Sequence, residues 1–135
     1  MIWWLKLNKN KKILSNNSKI STSPKLFKKD IFFKIAIVHK LDNGFDFKSL
    51  TIEGIKEFHN FINEILNKKM TISQVENLYM RKTSNPFNNR TVDQQIEIRE
   101  IHLGKNRQPF RLFGYFNDDN YFVLTKIDPN HNFHE

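Results

Sequence analysis

The densest group of chemically active side chains lies at the C-terminus, where residues 128–135 read Asp-Pro-Asn-His-Asn-Phe-His-Glu. Asp, Pro and Asn in succession favour a tight turn, which would present His131 beside the end of a sheet. An imidazole titrates near neutral pH and can act as a general acid or base, with Asp128 orienting it. His131 is therefore a candidate catalytic residue, and the alternative is a solvated terminal histidine without a role.

The same segment also allows a metal site, because nitrogen and oxygen ligands of this kind suit zinc, nickel or iron. The side chains that would take part are Asp128, His131, His134 and Glu135, with His102 joining from a neighbouring strand. Neither an HExxH motif nor a second ligand cluster accompanies them. We therefore predict no metal and no cofactor.

Basic side chains form the second candidate group. Arg111 alternates with apolar residues in the run FRLFGYF of residues 110–116, so its guanidinium must reach a sheet face, a partner carboxylate or a phosphate. An ion pair with Glu97, Glu100 or Asp128 is the open alternative to phosphate binding. Lys126, in the next apolar run, belongs to the same basic group. The cations predicted to contact nucleic acid lie in polar loops and beside the last strands: Arg81, Lys82, Arg90, Lys105 and Arg107.

The overall composition indicates which partners these basic side chains would bind. The 135 residues carry 22 Lys and Arg against 14 Asp and Glu, a formal charge of +8. A positive field favours polyanions through counterion release, so nucleic acid leads the expected partners. The alternative is compositional, because usage rich in Asn, Lys and Ile also fits a genome of low G+C content. Cysteine is absent, which excludes disulfides, thiolate ligands and cysteine nucleophiles.

The first residues, MIWWLKL, are apolar for too short a distance to span a bilayer, and their charges follow the apolar run rather than precede it. We therefore predict a cytoplasmic protein that does not enter a membrane. Residues 1–30 are polar and rich in Lys, and we expect them to form a basic arm or an edge element. Residues 31–135 would form the α+β core, so that residues 1–135 make one domain.

The predicted core begins with residues 31–38, a β-branched and aromatic run typical of a buried strand. Residues 51–67 place apolar side chains at intervals of three and four, which predicts a helix. A second helix should begin at Thr71, because Thr71 and Gln74 form a capping box. Residues 81–90 contain Pro, Asn and basic side chains, and this composition favours an exposed loop.

The last third predicts a β-meander. Residues 97–103 alternate polar and apolar side chains, residues 110–116 and 121–127 are aromatic runs, and residues 117–120 have hairpin chemistry. The whole pattern predicts an α+β fold, with a two-helix hairpin packed on a mainly antiparallel sheet.

The run Phe110-Arg111-Leu112-Phe113-Gly114-Tyr115-Phe116, followed by an Asn/Asp turn and residues 121–126, resembles the central hairpin of RelE/ParE-type bacterial toxins. The resemblance covers about residues 50–135, and Arg111 alone matches a motif position. It implies a metal-independent endoribonuclease acting on messenger RNA at the ribosome. In such enzymes the 2′-hydroxyl attacks the adjacent phosphate, an Arg stabilises charge, and Lys, Tyr or His moves protons.

The resemblance further implies that Arg111 stabilises charge, with His131 and Lys126 matched by position near the chain end, and that an antitoxin protein binds the chain. The long polar segment 1–30 and the placement of the helices after the first strand depart from the family pattern. The alternative function is a non-catalytic accessory protein, of phage or mobile-element origin, that binds nucleic acid or a protein partner through a basic face.

Overall fold

The computed structural model describes residues 31–80, 87–105 and 107–133, which form an α+β fold of two helices and one five-stranded sheet. The predicted fold class is thereby confirmed. In chain order the elements are β1 (Ile35–Ala36), a 3-10 helix (Phe47–Ser49), α1 (Ile52–Lys68), α2 (Ile72–Tyr79), β2 (Phe87–Val92), β3 (Ile96–Leu103), β4 (Arg111–Phe116) and β5 (Phe122–Asp128).

Both predicted helices are present, and local chemistry explains where each begins. The Thr51 side chain accepts a hydrogen bond from the backbone N–H of Gly54, which caps α1. Lys69 ends this helix in the left-handed conformation, with φ of 47°. Thr71 and Gln74 form the reciprocal capping box at the start of α2, as the sequence predicts.

The sheet has the strand order β1-β5-β4-β3-β2, and every neighbouring pair is antiparallel except β1 with β5. The predicted C-terminal meander is therefore confirmed and is one strand longer than expected. One face of the sheet packs against the helices, so that the core contains buried side chains from both layers. These include Phe61, Ile65, Ile72, Val75, Ile101, Leu103, Leu112, Phe122, Leu124 and Ile127.

The opposite face of the sheet is also covered. The register aligns His102 with Phe113 and Phe113 with Lys126, so these side chains share that face. Phe133, beyond β5, packs over it with its ring centroid 5.3 Å from that of Phe113. Phe45 joins from the segment that follows β1, 5.9 Å from Phe133. Glu100 and Lys126 on this face are consequently buried, with 1% and 2% of their surface exposed.

Two sequence predictions are wrong in extent. Residues 31–38 do not form a buried strand of eight residues, because the run pairs with β5 only over Ile35–Ala36 and leaves Ile37 and Val38 exposed. Residues 81–90 do not form a loop throughout, since Phe87–Val92 is paired with β3 along its whole length. Strand pairing thus overrides the weak strand propensity of Asn and Arg in β2. The predicted basic arm, residues 1–30, lies outside the described residues.

Candidate functional site

Arg111, the predicted phosphate ligand, is buried at the start of β4 with 6% of its surface exposed. Its Nη1 donates to the carbonyl oxygens of Phe110 at 2.8 Å and of Lys105 at 3.3 Å, and also to that of Gln108. The stem passes close to Gly104, where an added Cβ would lie 2.5 Å from the Arg111 Cδ. In this position the guanidinium holds the β3–β4 loop, and the arrangement favours an architectural role.

Lys126, the second catalytic candidate, is 2% exposed on the face opposite the helices. Its ammonium lies 3.1 Å from the Glu100 Oε1 and 3.3 Å from the Asp42 Oδ2. The rings of Phe113 and Phe133 also contact it, with the Nζ 4.8 Å and 4.2 Å from their centroids. The ammonium is therefore enclosed by carboxylates and aromatic rings.

Arg90 completes a cluster of four charges on this face, which we call the ionic cluster: Asp42, Arg90, Glu100 and Lys126. Arg90 donates to both oxygens of Asp42, at 2.7 Å and 3.0 Å, and to Glu100 at 3.0 Å. Thr125 also donates to Glu100. The two acids and two bases balance in charge, which is the condition under which ionised groups tolerate burial.

The ionic cluster changes the titration of its more exposed members. Burial raises the pKa of Asp42, but the hydrogen bond from Arg90 and the charge of Lys126 outweigh it and hold that pKa below its usual value. The hydrogen bond to Asp42 raises the pKa of Arg90. Arg90, predicted from the sequence to bind nucleic acid, thus forms ion pairs with two carboxylates of the same chain.

His131, the third catalytic candidate, is exposed and has a left-handed backbone with φ of 56°. The Asp128 carboxylate, expected to orient it, accepts from the backbone N–H groups of Asn132 and Phe133, each at 2.8 Å. Asp128 therefore closes the C-terminal turn that brings Phe133 over the sheet. His134 and Glu135 lie outside the described residues.

The other predicted nucleic-acid contacts are dispersed. Lys105 pairs with Glu64 at 2.9 Å, and Arg107 is exposed in the same β3–β4 loop. Arg81 and Lys82 lie outside the described residues. The structure thus leaves Arg107 on the surface, while Arg90 and Lys105 have acidic partners.

A pocket of about 480 Å³ lies between α1, the end of α2 and the β3–β4 loop. Phe61, Tyr79 and Phe110 contribute its aromatic wall. The Tyr79 hydroxyl donates to Glu64, and that bond, together with one from Lys105, lowers the pKa of Glu64 to about 2. Burial and then the Glu64 carboxylate raise the pKa of Tyr79. Glu64 is therefore an anion throughout the physiological range.

A second polar arrangement was not anticipated from the sequence. His39 is buried, and its Nδ1 lies 2.5 Å from the Asp93 Oδ2 while its Nε2 lies 2.5 Å from the Tyr115 hydroxyl. Because a carboxylate only accepts, Nδ1 carries a proton, and Nε2 shares a hydrogen bond with the phenol. Burial, and then the charge of Asp93, raise the pKa of Tyr115. This Asp-His-Tyr chain could hold and transfer a proton.

The positive charge is distributed unevenly along the chain. The described residues carry twelve Lys and Arg and twelve Asp and Glu side chains, so their formal charges cancel. Residues 1–30 contain eight Lys and one Asp, and residues 81–86 contain Arg81 and Lys82. The net charge of +8 therefore belongs to parts of the sequence other than the described α+β core.

Among the described residues, the structure contains no group of three His, Asp or Glu side chains placed to hold a metal ion. In the same part of the chain, neither helix is long and apolar enough to cross a bilayer.

Fold and site together define a two-helix, mainly antiparallel α+β core with an ionic cluster on one sheet face and a pocket beside the helices. No protein-family model matches the sequence, and neither curated proteins nor solved structures provide a match. The resemblance to RelE/ParE-type toxins therefore stays a prediction.

Proposed function

We propose that the protein binds single-stranded nucleic acid, with the lysines of residues 1–30 supplying the attraction to phosphates. The separation of charge carries this proposal, because the described core is formally neutral while residues 1–30 hold an excess of seven positive charges. Clustered lysines bind phosphates by releasing condensed counterions and need no rigid geometry to do so. The core then serves as the folded body to which these lysines are attached.

Binding is favoured over cleavage by the positions of two of the three catalytic candidates, Arg111 and Lys126. Cleavage through Arg111 and Lys126 would require their cationic groups to reach a phosphate. Both are buried, the first against backbone carbonyls and the second within the ionic cluster. This arrangement supports the alternative drawn from the sequence, a non-catalytic protein that binds nucleic acid.

The test is the salt dependence of affinity for a labelled single-stranded RNA, measured with the full chain. Changing Lys9, Lys11 and Lys12 together to Gln should lower the slope of log affinity against log salt by about 2, at about 0.7 per phosphate contact. The matched control changes three exposed lysines of the core, Lys40, Lys48 and Lys56, to Gln and should leave the slope unchanged. Equal losses in the two triple variants, or affinity that is flat with salt, would contradict the proposal.

Metal-independent cleavage of RNA is a second candidate function, favoured by the Asp93-His39-Tyr115 chain. Its chemistry is the proton transfer that the toxin resemblance assigns to Tyr or His. In this proposal the Tyr115 oxygen takes the proton of the attacking 2′-hydroxyl as its own phenolic proton passes to Nε2 of His39, and the 2′-oxygen bonds to the phosphorus. The P–O5′ bond breaks as the same pair returns a proton to the leaving 5′-oxygen. Asp93 keeps the imidazole in the required tautomer.

Under this second candidate, Tyr115→Phe should lower the rate of RNA cleavage in EDTA by at least about 100-fold, the usual scale of general acid–base catalysis. Tyr121→Phe is the matched control, because Tyr121 is an exposed phenol immediately before β5 and its replacement should leave the rate unchanged. Cleavage is measured as product bands from an end-labelled RNA. Equal rates for the two variants, or no cleavage by the unchanged protein, would remove this candidate.

A further inference from the structure

The pocket beside α1 already holds an ammonium group, supplied by the protein itself. The Lys105 Nζ lies 2.9 Å from the Glu64 Oε1 and 5.4 Å from the centroid of the Tyr79 ring. A carboxylate and an aromatic ring are the two groups that most favour a desolvated ammonium. Tyr79 also donates to Glu64, so both recognition groups are fixed in position.

Lys105 does not fill this pocket. About 480 Å³ remains beside it, bounded by Glu57 and Asn60 of α1 and by Gln108 of the β3–β4 loop. The charged residues that line the pocket are Glu57, Glu64 and Lys105, and Lys68 pairs with the Glu64 Oε2 at 3.1 Å from beside it, so two carboxylates lie near two ammonium groups.

The pair of Lys105 with Glu64 is also exchangeable. The Lys105 side chain is 34% exposed, and ion pairs with this degree of solvent exposure contribute little to stability. Another ammonium can therefore compete for the same carboxylate without unfolding the loop. Glu57 and Glu64 lie seven residues apart on α1, about 10 Å along the axis, a spacing that a second ammonium on one ligand could span.

We propose that this pocket is a binding site for a primary alkylammonium group, which replaces Lys105 beside Glu64 and over Tyr79. The alkyl stem would lie against Phe61 and Phe110, and Glu57 would accept from a second ammonium when the ligand has one. A lysine side chain and a polyamine share this chemistry. The site is independent of nucleic-acid binding through residues 1–30.

The experiment is an NMR titration of the full chain, in which the aromatic resonances of Tyr79 and Phe61 are followed. The probes are Nα-acetyl-lysine methylamide, spermidine, and the same lysine derivative acetylated at Nε, which is neutral. Both ammonium probes should give saturable shifts, and the neutral probe should give none. Tighter binding of spermidine assigns the site to polyamines, whereas equal affinities assign it to lysine side chains.

Variants test the role of the resident ammonium. Lys105→Met keeps the stem but removes the competitor, so binding of both ammonium probes should tighten by about fivefold. In the Lys105→Met background, Glu64→Gln should abolish the gain in affinity. Glu53→Gln should not alter that gain, because Glu53 is an exposed residue in the first turn of α1. Unchanged affinity in Lys105→Met, or equal shifts with the neutral probe, would overturn the proposal. If Glu64→Gln fails to fold, the comparison of Lys105→Met with the unchanged protein still decides the proposal.

Discussion

Replacing Glu100 with Ala should destabilise the protein by about 3 to 5 kcal/mol, the range expected when one partner of a buried ion pair is removed. Glu100 is 1% exposed and accepts from Arg90, Thr125 and Lys126. Without it, the buried Lys126 ammonium keeps only the more distant contact with Asp42 among its described carboxylate partners. The free energy of unfolding, measured in urea by circular dichroism, checks this expectation.

Two further variants distinguish two losses of stability: that from leaving a buried charge without its partner, and that from removing an exposed ion pair. Lys126→Met should cost less than Glu100→Ala, because Glu100 keeps Arg90 and Thr125 and the thioether packs between aromatic rings. Lys68→Ala removes an exposed pair with Glu64 and should cost less than about 1 kcal/mol. If Glu100→Ala costs no more than Lys68→Ala, the ionic cluster does not stabilise the fold as described.

Arg111→Ala should lower the free energy of unfolding by about 3 kcal/mol, since hydrogen bonds from charged donors are each worth about 1.5 to 3 kcal/mol. The change leaves carbonyl oxygens of the β3–β4 loop without their buried donor, and it opens space beside Gly104. Arg111→Lys should recover only part of this loss, because a lysine ammonium cannot reproduce the planar donor geometry of a guanidinium.

The matched control for Arg111 is Arg99→Ala on the neighbouring strand β3. Arg99 is exposed and stacks on Phe87, with the guanidinium carbon 3.7 Å from the ring centroid. Its loss should cost about 0.5 to 1 kcal/mol. If Arg111→Ala instead retains stability and loses RNA affinity, Arg111 is a phosphate ligand, and the architectural role inferred from its burial is wrong.

The elements best predicted from the sequence are those whose signals are local. The period of apolar residues in α1 and the capping box at Thr71 are satisfied within one or two helical turns. The turn at residues 117–120 closes through the Asn117 side chain, which accepts from the backbone of Asp119 and Tyr121. Such contacts form almost independently of the remaining chain, so they can be recognised without it.

Strand limits were predicted less well because pairing is a long-range property. The β-branched run at residues 31–38 has the composition of a central strand, yet only Ile35–Ala36 finds a partner at the sheet edge. The Asn- and Arg-containing β2 has weak strand propensity and is nevertheless paired with β3 from end to end. Which strand receives a partner depends on packing across the whole sheet.

The candidate site shows the same difference between local signals, which the sequence reveals, and long-range contacts, which it does not. The sequence alone indicated that Arg111 needs a partner, but it left phosphate and carboxylate open and did not suggest backbone carbonyls. It carried no signal that would join His39 to Tyr115, which are 76 residues apart, or to Asp93, 54 residues away. None of these three residues lies in a spacing that marks a motif.

The amino-acid sequence by itself determined the two helices, the antiparallel meander and the concentration of lysine in residues 1–30, because periodicity, capping and charge are read from neighbouring residues. Only the tertiary structure decided which charges are buried and what they contact. Burial of an ion depends on partners brought from distant segments, as Asp42, Arg90, Glu100 and Lys126 are. The identity of those partners follows from how the sheet is covered on both faces, since desolvation makes an unpaired charge costly.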